Sequence, residues 1–257
     1  MGWIGWQGLT MFLAIDTDIL LYRAATAAET EINWEDDIWT LYSDLKEAKQ
    51  SFEVQLARIT DRLGVNDFIC CLSDHSNNFR KQVDPTYKSN RKGTRKPVGY
   101  RALADWVEIT FKTFRKDNLE GDDCLGILAT MPTNKGKCIM VSDDKDLKGI
   151  PAKLYRPATD EELIISEAEA DKFFLTQVLT GDTADGYKGI AGIGPKKAEQ
   201  ILGSRPHWGA VEQAYLKAGM TKDDALVQAR LARILRWSEW DEVRGVHKLW
   251  KPPSVSH

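Results

Sequence analysis

The chain has 257 residues, 42% of them hydrophobic, and carries 35 lysines and arginines against 38 aspartates and glutamates, a net charge of −3. This length and composition exclude a disordered chain and a disulfide-stapled miniprotein, and they suffice for one large domain or two small ones. The average charge argues against a uniformly basic nucleic-acid-binding protein.

The first predicted element is a buried strand at residues 11–16, a short apolar run that ends in Asp16. Residues 1–10 precede it without a charged side chain, and we expect them to form an N-terminal extension outside the fold. Apolar residues at helical spacing predict a long helix over residues 38–63, which Gly64 ends. A second buried strand at residues 67–74 ends in Asp74.

A polar and basic stretch follows the second strand. Residues 80–101, called here the basic segment, contain eight lysines and arginines but one acid, Asp84. The remaining chain is therefore strongly acidic, and the protein is charge-segregated rather than neutral. The segment is either a surface that contacts a polyanion or a solvated loop that raises the local concentration of one.

Strands and helices then alternate along the chain. We predict helices over residues 101–112 and 167–180 and a helix that begins after residues 119–123, with strands within residues 137–146 and 152–157. This alternation favours an α/β domain with a mainly parallel sheet. In such sheets ligands bind beyond the carboxyl ends of the strands.

Nine acidic residues follow strand ends or tight turns, and we call them the carboxylate cluster. They are Asp16, Asp74, Glu120, Asp122, Asp123, Asp144, Asp146, Asp182 and Asp185. A single aspartate at such a position is often only a helix N-cap, an interpretation that we prefer for Asp18 and Asp143. Nine together would repel each other unless cations neutralised them or some stayed protonated. Oxygen ligands without histidine or cysteine suit Mg²⁺ or Mn²⁺, and two such ions are typical of phosphoryl chemistry.

A glycine turn lies near residue 193. Gly192 and Gly194 flank one isoleucine, and Pro195 then suits the first position of a helix because that position needs no N–H donor. Lys196 and Lys197 add positive charge at the same helix start, where backbone amides can bind a phosphate. This pattern predicts a helix-hairpin-helix element that holds a DNA backbone without reading its sequence.

In this order, these motifs resemble the flap endonuclease and 5′-nuclease superfamily. The resemblance covers residues 11–203, with Phe79-Arg80 and Pro85-x-Tyr87-Lys88-x-x-Arg91 between the acids of the second strand and those at 120–123. Residues 85–100 and 219–236 look like the 5′→3′ exonuclease of T-odd short-tailed phages. The resemblance implies a three-layer PIN-like fold with a mainly parallel sheet, a basic helical arch within residues 75–101 and a helix-hairpin-helix element. It also implies a nuclease core at residues 11–180 and a C-terminal helical region at 181–257 packed on it.

The resemblance also implies roles for single residues. A first metal would be bound by the residues of the cluster up to Asp123, and a second by Asp144, Asp146 and Asp185 with Asp182 in support. Lys88 and Arg91 would contact the scissile phosphate as catalytic residues. Tyr87 would stack on a terminal base. The other DNA-binding residues would be Arg80, Lys92, Arg95, Lys96, Gly192, Gly194, Lys196 and Lys197.

The implied function is a 5′→3′ exonuclease with two Mg²⁺ ions, which Mn²⁺ could replace, and with K⁺ at the helix-hairpin-helix turn as an option. Its substrates would be 5′ ends, nicks or flaps of duplex DNA, and RNA–DNA hybrid during primer removal. It would act in phage DNA replication or recombination in the host cytoplasm. The cysteines, which lack a Cys-x-x-Cys pair, fit that compartment, and no apolar run is long enough to span a membrane. The alternatives are a catalytically silent DNA-structure-binding protein, a PIN-type ribonuclease, and a phosphatase that uses Asp16 and Asp18.

Overall fold

The computed structural model describes residues 11–91 and 93–253. The predicted extension at residues 1–10 and the predicted DNA-binding residue Lys92 lie outside this part. Within it, no helix is both long and apolar enough to cross a membrane.

Ten strands and nine helices form the regular structure of the described residues. The strands are β1 (Phe12–Asp16), β2 (Glu29–Trp34), β3 (Ile38–Ser43), β4 (Phe68–Leu72), β5 (Thr113–Arg115), β6 (Cys138–Val141), β7 (Lys153–Arg156), β8 (Glu161–Ile164), β9 (Trp240–Asp241) and β10 (Val246–His247). The helices are α1 (Thr17–Ala27), α2 (Leu45–Leu63), α3 (Arg80–Val83), α4 (Tyr100–Thr110), α5 (Gly121–Thr130), α6 (Glu167–Thr180), α7 (Pro195–Leu202), α8 (Trp208–Lys217) and α9 (Lys222–Ala232).

The central sheet has six strands in the order β5-β4-β1-β6-β7-β8. Neighbouring strands are parallel except for β8, which pairs antiparallel with β7. β1 therefore lies in the middle, between β4 and β6. Because these three strands are parallel neighbours, their carboxyl ends lie side by side at one edge of the sheet.

Helices cover both faces of the sheet, as the predicted three-layer α/β fold requires. One core joins Ile15 of β1 to Phe52 of α2 and Leu103 of α4. The core on the other face joins Met140 of β6 to Leu125 of α5 and also includes Leu235 of the C-terminal segment. β4 and β6 are short apolar strands of the kind that a sheet covered on both faces favours.

A third core lies among α6, α7, α8 and α9. Val178 and Leu179 of α6 pack with Val211 and Tyr215 of α8, and the Tyr215 hydroxyl donates to the Val178 carbonyl at 2.6 Å. This core includes residues on both sides of the predicted division between residues 180 and 181. That division stays a prediction.

The long helix predicted over residues 38–63 is wrong in its first turns. Residues 38–43 form β3, which pairs antiparallel with β2, and α2 begins only at Leu45. The side chain of Asp44 caps α2 by accepting from the amide of Lys46 at 2.7 Å. Residues 38–42 of β3 are exposed, as suits a surface hairpin, whereas the helical apolar spacing belongs to α2 alone.

The helical arch is wrong for the described part of the basic segment. Before α4 begins at Tyr100, helical structure in its described residues is limited to α3 and one 3₁₀ turn, Ser89–Arg91. Lys88 has a φ of +54°, which breaks a right-handed helix. Lys88, Arg91 and Arg95 therefore do not share one helix face.

The four cysteines are all buried in or beside the central sheet. They are Cys70, Cys71, Cys124 and Cys138. Burial raises the pKa of each thiol. These cysteines are therefore core residues with little thiolate at neutral pH.

Candidate active site

Carboxylates meet at the carboxyl ends of the three central strands. Asp16 ends β1, Asp74 follows β4 by two residues, and Asp144 follows β6 by three residues. α5 brings Glu120 and Asp122 to the same place. The charges of Asp16 and Asp144 both act on Asp122, which shows that these acids are neighbours. The predicted convergence of acids from separate parts of the chain is thus present in the structure.

Four of these acids form what we call the crowded group: Asp16, Asp122, Asp144 and Asp146. Burial, with the charges of Asp18 and Asp144, raises the pKa of Asp16 to about 7. Burial and Asp144 also raise the pKa of Asp146 to about 7. Burial, Asp144 and Asp16 hold the pKa of Asp122 well above its ordinary value. Asp144 is the common neighbour, and the group carries more negative charge than nearby lysines and arginines neutralise.

Neutral side chains hold the crowded group in place. The Ser142 hydroxyl donates to Asp16 at 2.6 Å and accepts from the Asp144 amide at 3.0 Å. The Gln177 side chain donates to Asp146 at 2.8 Å. These hydrogen bonds orient the carboxylates without cancelling their charge.

A second set, the paired group, comprises Glu120, Asp182 and Asp185. Glu120 accepts from Lys88 at 2.5 Å and from Arg80 at 2.9 Å. Burial opposes its ionisation, but Lys88 and Arg80 outweigh burial and lower its pKa to about 2. Each member of this group has a cationic partner within the chain.

Asp182 and Asp185 lie on the loop after α6. Burial opposes the ionisation of Asp182, but Lys145 donates to it at 2.8 Å and lowers its pKa. Asp185 accepts from Arg91 at 2.7 Å. The ends of the loop pack so closely at Gly181, which has a φ of +70°, that a Cβ there would lie 2.3 Å from the Lys188 carbonyl carbon. This position therefore requires glycine, and the loop is fixed at its base.

Asp74 is held by backbone amides. Burial favours its neutral form, but the amides of Asn118 and Ser76, each at 2.9 Å, help to lower its pKa. Arg115 lies 3.9 Å from it. Asp74 is thus a preorganised acceptor beside the other two groups.

Asp123 and Arg80 do not have the roles predicted for them. Asp123, predicted to bind metal, is fully buried and forms a bidentate pair with Arg80 at 2.7 and 2.8 Å. Arg80, predicted to bind DNA, is 2% exposed. Asp123 also accepts from the Leu235 amide at 3.0 Å. Burial of both partners in one pair makes them structural residues, since neither faces solvent.

Tyr87 is also wrongly predicted, because its ring cannot stack on a base as the structure stands. It is 2% exposed, and its hydroxyl donates to Asp185 at 3.0 Å and Glu120 at 3.1 Å. Burial raises its pKa, so the phenol remains neutral. Tyr87 therefore connects the two parts of the paired group.

Lys88 and Arg91, predicted to contact the scissile phosphate, both contact the paired group. The Lys88 backbone amide donates to the Asp185 carbonyl at 2.9 Å, and its ammonium lies 3.5 Å from the Asp185 carboxylate. Burial disfavours its charge, but Glu120 and Asp185 outweigh burial and raise its pKa. Arg91 is half exposed, with its guanidinium on Asp185.

A cavity of about 660 Å³ opens beside these residues. Its lining includes Asp74, Lys88, Arg91, Arg95, Lys96 and Glu120. Positive side chains of the basic segment therefore line the same cavity as part of the carboxylate cluster. An anionic chain in this cavity would contact both.

Arg95 and Lys96, predicted to bind DNA, have partners outside the carboxylate cluster. Arg95 forms a bidentate pair with Glu29 of β2 at 2.6 and 2.9 Å. The Lys96 ammonium lies 4.3 Å from the centre of the Tyr100 ring. Both side chains are exposed, so these contacts leave the DNA-binding prediction untested.

Residues 11–173 match the family described as 5′-3′ exonuclease, N-terminal resolvase-like domain. The chain belongs to this 5′-3′ exonuclease family. It is 32% identical to the exonuclease of Escherichia phage T7 over 93% of each chain. It is 33% identical to the exodeoxyribonuclease of Enterobacteria phage T3, over 94% of this chain and 93% of that one.

The fold is similar to that of a flap endonuclease of bacteriophage T5, solved as a pseudo-enzyme-product complex with DNA and metal ions. The TM-score is 0.60 at 15% identity, over 86% of this chain and 88% of that one. The predicted resemblance to T-odd phage exonucleases and the predicted 5′-nuclease fold are thus confirmed. The protein is a nuclease of this family.

The glycine turn of this 5′-3′ exonuclease has the expected form. Gly192 has a φ of +77°, and α7 begins at Pro195. Lys196 and Lys197 are exposed at the start of α7, and Lys197 donates to the Gly192 carbonyl at 2.9 Å. Gly194 is exposed as well, with open space around its Cα. The turn and helix start therefore face solvent and remain the predicted DNA-binding element.

The sequence did not identify several residues that shape this nuclease site. Ser142, Gln177 and Lys145 bind members of the carboxylate cluster, and of these only Lys145 had a visible signal, its place between two predicted ligands. Asp18 and Asp143 were left out of the ligand set. Asp18 accepts from the Ser73 amide and the Tyr100 hydroxyl, and Asp143 forms an ion pair with Arg23 at 2.8 Å.

The site offers cation ligands, but they do not yet form a coordination shell. Among residues 11–91 and 93–253, no group of three acidic, histidine or cysteine side chains is already arranged to hold a metal ion. The crowded group nevertheless supplies neighbouring oxygen donors, and burial together with repulsion from nearby acids raises the pKa of Asp16 and Asp146 to about 7. A divalent cation would relieve that repulsion, so these residues fit a hard metal ion.

Proposed function

We propose that the protein is a metal-dependent 5′→3′ exonuclease that hydrolyses phosphodiesters at 5′ ends, nicks or flaps of duplex DNA. One observation carries the proposal: at the edge of the sheet, the crowded group lies beside the paired group, which Lys88 and Arg91 contact. Anionic oxygens that need cations and cations that can bind a phosphate are thus in one place. The relatives named exonuclease and exodeoxyribonuclease support the reaction.

The metal in this proposal is Mg²⁺, with two ions, and Mn²⁺ can replace it. Asp16, Asp74, Glu120 and Asp122 would bind one ion, and Asp144, Asp146, Asp182 and Asp185 the other. Bound ions of this kind lower the pKa of water and screen the charge of a pentavalent phosphorus. The crowded group would hold both, since Asp144 interacts with Asp16, Asp122 and Asp146.

Lys88 and Arg91 would bind the scissile phosphate. Both side chains already contact carboxylates, so a phosphate oxygen would take the place of a carboxylate as their anionic partner. This exchange spares the cost of removing a bare charge from water. The products would carry a 5′-phosphate and a 3′-hydroxyl.

The duplex would be held by the glycine turn and by exposed cations. Lys196 and Lys197 flank open backbone amides at the start of α7, which suits a DNA phosphate. K⁺ at this turn is a further part of the proposal. Residues 181–257 would then be the DNA-holding region on a nuclease core of residues 11–180. The T5 flap endonuclease, which shares the fold, was solved with DNA.

The biological role in this proposal is removal of RNA primers and degradation of DNA ends in phage replication or recombination, in the host cytoplasm. RNA–DNA hybrid would therefore also be a substrate. Asp16, Asp122 and Asp144 are all present and close together, which argues against a catalytically silent DNA-binding protein.

The test is a DNA duplex labelled at either 5′ or 3′ end and digested with Mg²⁺, with Mn²⁺, with Ca²⁺ and with a chelator. Product lengths should show loss from the 5′ end in Mg²⁺ and Mn²⁺ only. Ca²⁺ should permit DNA binding without turnover, because its larger and looser coordination misplaces the reacting groups. A matched RNA–DNA hybrid and an RNA duplex complete the series.

Cleavage that persists in chelator, or that proceeds from the 3′ end, would contradict the proposal. Binding without cleavage in Mg²⁺ and Mn²⁺ would favour the silent binder. Cleavage restricted to RNA would favour the PIN-type ribonuclease.

A further inference from the structure

Arg80 makes several hydrogen bonds beside the active site. Its Nε donates to the Leu231 carbonyl at 3.0 Å, and its Nη1 donates to Glu120 at 2.9 Å and to Asp123 at 2.7 Å. Its Nη2 donates to Asp123 at 2.8 Å and to the Arg233 carbonyl at 2.5 Å. All five N–H donors of the guanidinium are therefore used, which a lysine could not reproduce.

One side of this network is the start of α5. Glu120 is the N-cap of α5, and Asp123 accepts from the Glu120 amide at 3.2 Å. Arg80 binds the side chains of both acids, so it fixes the backbone and the carboxylate of Glu120 together. Lys88 binds the other carboxylate oxygen of Glu120. Glu120 is thereby held from two sides.

The other side of the network is the carboxyl end of α9. The last carbonyls of a helix lack intrahelical donors, and a cation there also interacts favourably with the helix dipole. Arg80 supplies both, since it binds carbonyls at Leu231 and Arg233. α9 also contacts the loop of the paired group, because Gln228 accepts from the amides of Lys188 and Gly189 at 3.1 and 3.2 Å. α9 is therefore a rigid anchor that contacts both sides of the site.

We propose that Arg80 is a positioning residue that fixes Glu120 for metal binding against the anchor of α9. The inference rests on the proposed function, in which Glu120 is a metal ligand. Arg80 does not contact substrate, since it is buried behind the carboxylates. Residues that orient a metal ligand typically contribute about 10–100-fold to metal affinity or activity.

A purely structural role would look different. If Arg80 served only to neutralise the buried charge of Asp123, then removing both charges would restore the protein. The comparison is therefore between Arg80→Met and the double variant Arg80→Met/Asp123→Asn. The single variant leaves the charge of Asp123 buried without its partner. The double variant removes this energetic cost, but Glu120 still lacks the hydrogen bond from Arg80. Arg80→Lys keeps the charge and loses the bidentate geometry.

The measurements are thermal unfolding, direct Mn²⁺ binding by calorimetry without DNA, and kcat and KM for a labelled duplex over a Mg²⁺ series. Arg62→Met is the matched control, because Arg62 of α2 is partly exposed and forms an ion pair with Asp160 at the surface. The double variant should unfold at a higher temperature than Arg80→Met alone, because it no longer buries an unpaired Asp123. It should still bind Mn²⁺ about 10–100-fold more weakly and need more Mg²⁺, with KM for DNA within about twofold.

Arg80→Lys should show an intermediate loss, and Arg62→Met none. Wild-type Mn²⁺ binding and wild-type Mg²⁺ dependence in the double variant would overturn the inference. If the double variant does not fold, wild-type Mn²⁺ binding and Mg²⁺ dependence in Arg80→Lys would overturn it instead. Wild-type protein that binds Mn²⁺ yet cleaves no duplex would instead count against the proposed function. The two failures are thus distinguishable.

Discussion

The two groups of carboxylates in this site differ in the source of the positive charge that neutralises them. In the paired group, Lys88 and Arg80 lower the pKa of Glu120 to about 2. In the crowded group, the pKa values of Asp16 and Asp146 are raised to about 7, because burial and neighbouring acids outweigh the available donors. Side chains of the protein itself neutralise the paired group, whereas the crowded group is neutralised only by an added cation or proton.

This difference follows from where each acid lies. The crowded group follows β1 and β6 and the start of α5, where parallel strands end together and several acids lie near one another. The paired group faces the basic segment, whose Lys88 and Arg91 contact it. The two groups of carboxylates are therefore adjacent but differ in whether the chain itself neutralises them.

The largest expected effect separates two neighbouring acids on α5. Asp122→Asn should lower kcat on the order of 1000-fold, about 4 kcal/mol, because it removes a predicted metal ligand. The same change should raise the unfolding temperature in chelator, since it removes one repelling charge from the crowded group. Steady-state cleavage and thermal unfolding measure the two effects.

Asp123→Asn is the matched comparison. It should lower the free energy of unfolding by about 3–5 kcal/mol, because the buried Arg80 loses its charged partner. A stabilised Asp123→Asn protein, or an active Asp122→Asn protein, would remove the distinction between the two groups. Asp144→Asn should behave like Asp122→Asn, since it is the common neighbour.

The next effect concerns Lys88, whose charge acts on both groups of carboxylates. Lys88→Ala should lower kcat about 100-fold, because a preorganised charge on the phosphate is lost. Duplex affinity in Ca²⁺ should stay within about threefold, since other cations of the basic segment remain. Lys81→Ala removes an exposed charge from the same segment and should change kcat little. Equal losses of kcat and affinity in Lys88→Ala would support the solvated-loop alternative.

A smaller effect is expected where a neutral side chain orients the crowded group. Gln177→Leu removes the donor to Asp146 and should lower kcat about 10-fold, with a higher Mg²⁺ requirement. Thr176→Ala, on the same helix, removes a hydroxyl that bonds only the helix backbone at Lys172 among the described residues, and serves as control. Unchanged Mg²⁺ dependence in Gln177→Leu would mean that Asp146 needs no such support.

The smallest effect is a pH dependence of stability. Asp16 has an ordinary pKa of 3.8 and a folded pKa of about 7, so between these values the folded state holds a proton that the unfolded chain has lost. The free energy of unfolding should therefore fall as pH rises from 5 to 7 and level off above 7. Glu120, with its pKa lowered to about 2, contributes no slope in this range, because its contribution is lost only as pH falls below about 4.5.

Thermal unfolding in chelator from pH 5 to pH 8 tests this and should show a fall of several degrees. Mg²⁺ should reduce the slope, and Asp16→Asn should reduce it in part, because Asp146 also has a pKa of about 7. A midpoint that rises with pH over this range would show that the crowded group is compensated within the chain.

Strand ends were predictable from the sequence because short apolar runs and terminal acids are local signals. β1, β4 and β6 were found in this way, and with them Asp16, Asp74 and Asp144. The glycine turn was equally local, since its backbone needs only two glycines and a proline. Much of the carboxylate cluster could therefore be placed before its geometry was known.

Burial of charged residues could not be predicted in the same way. Arg80 and Tyr87 look like DNA-binding residues in a basic segment, but contacts with α9 and Asp185, distant in the chain, bury them. Asp123 differs from Asp122 only in the direction of its side chain, because consecutive helical residues point about 100° apart. The hairpin of β2 and β3 was missed because the apolar residues of β3 stand directly before the helical pattern of α2.

The buried cysteines have a practical consequence. All four thiols lie in the core with raised pKa values, so maleimide reagents should leave the folded chain unlabelled. A single cysteine introduced at the exposed position of Lys81 would then be the one reactive thiol of the described chain. A spin label or fluorophore placed there would report how the basic segment moves when nucleic acid and metal ions enter the site.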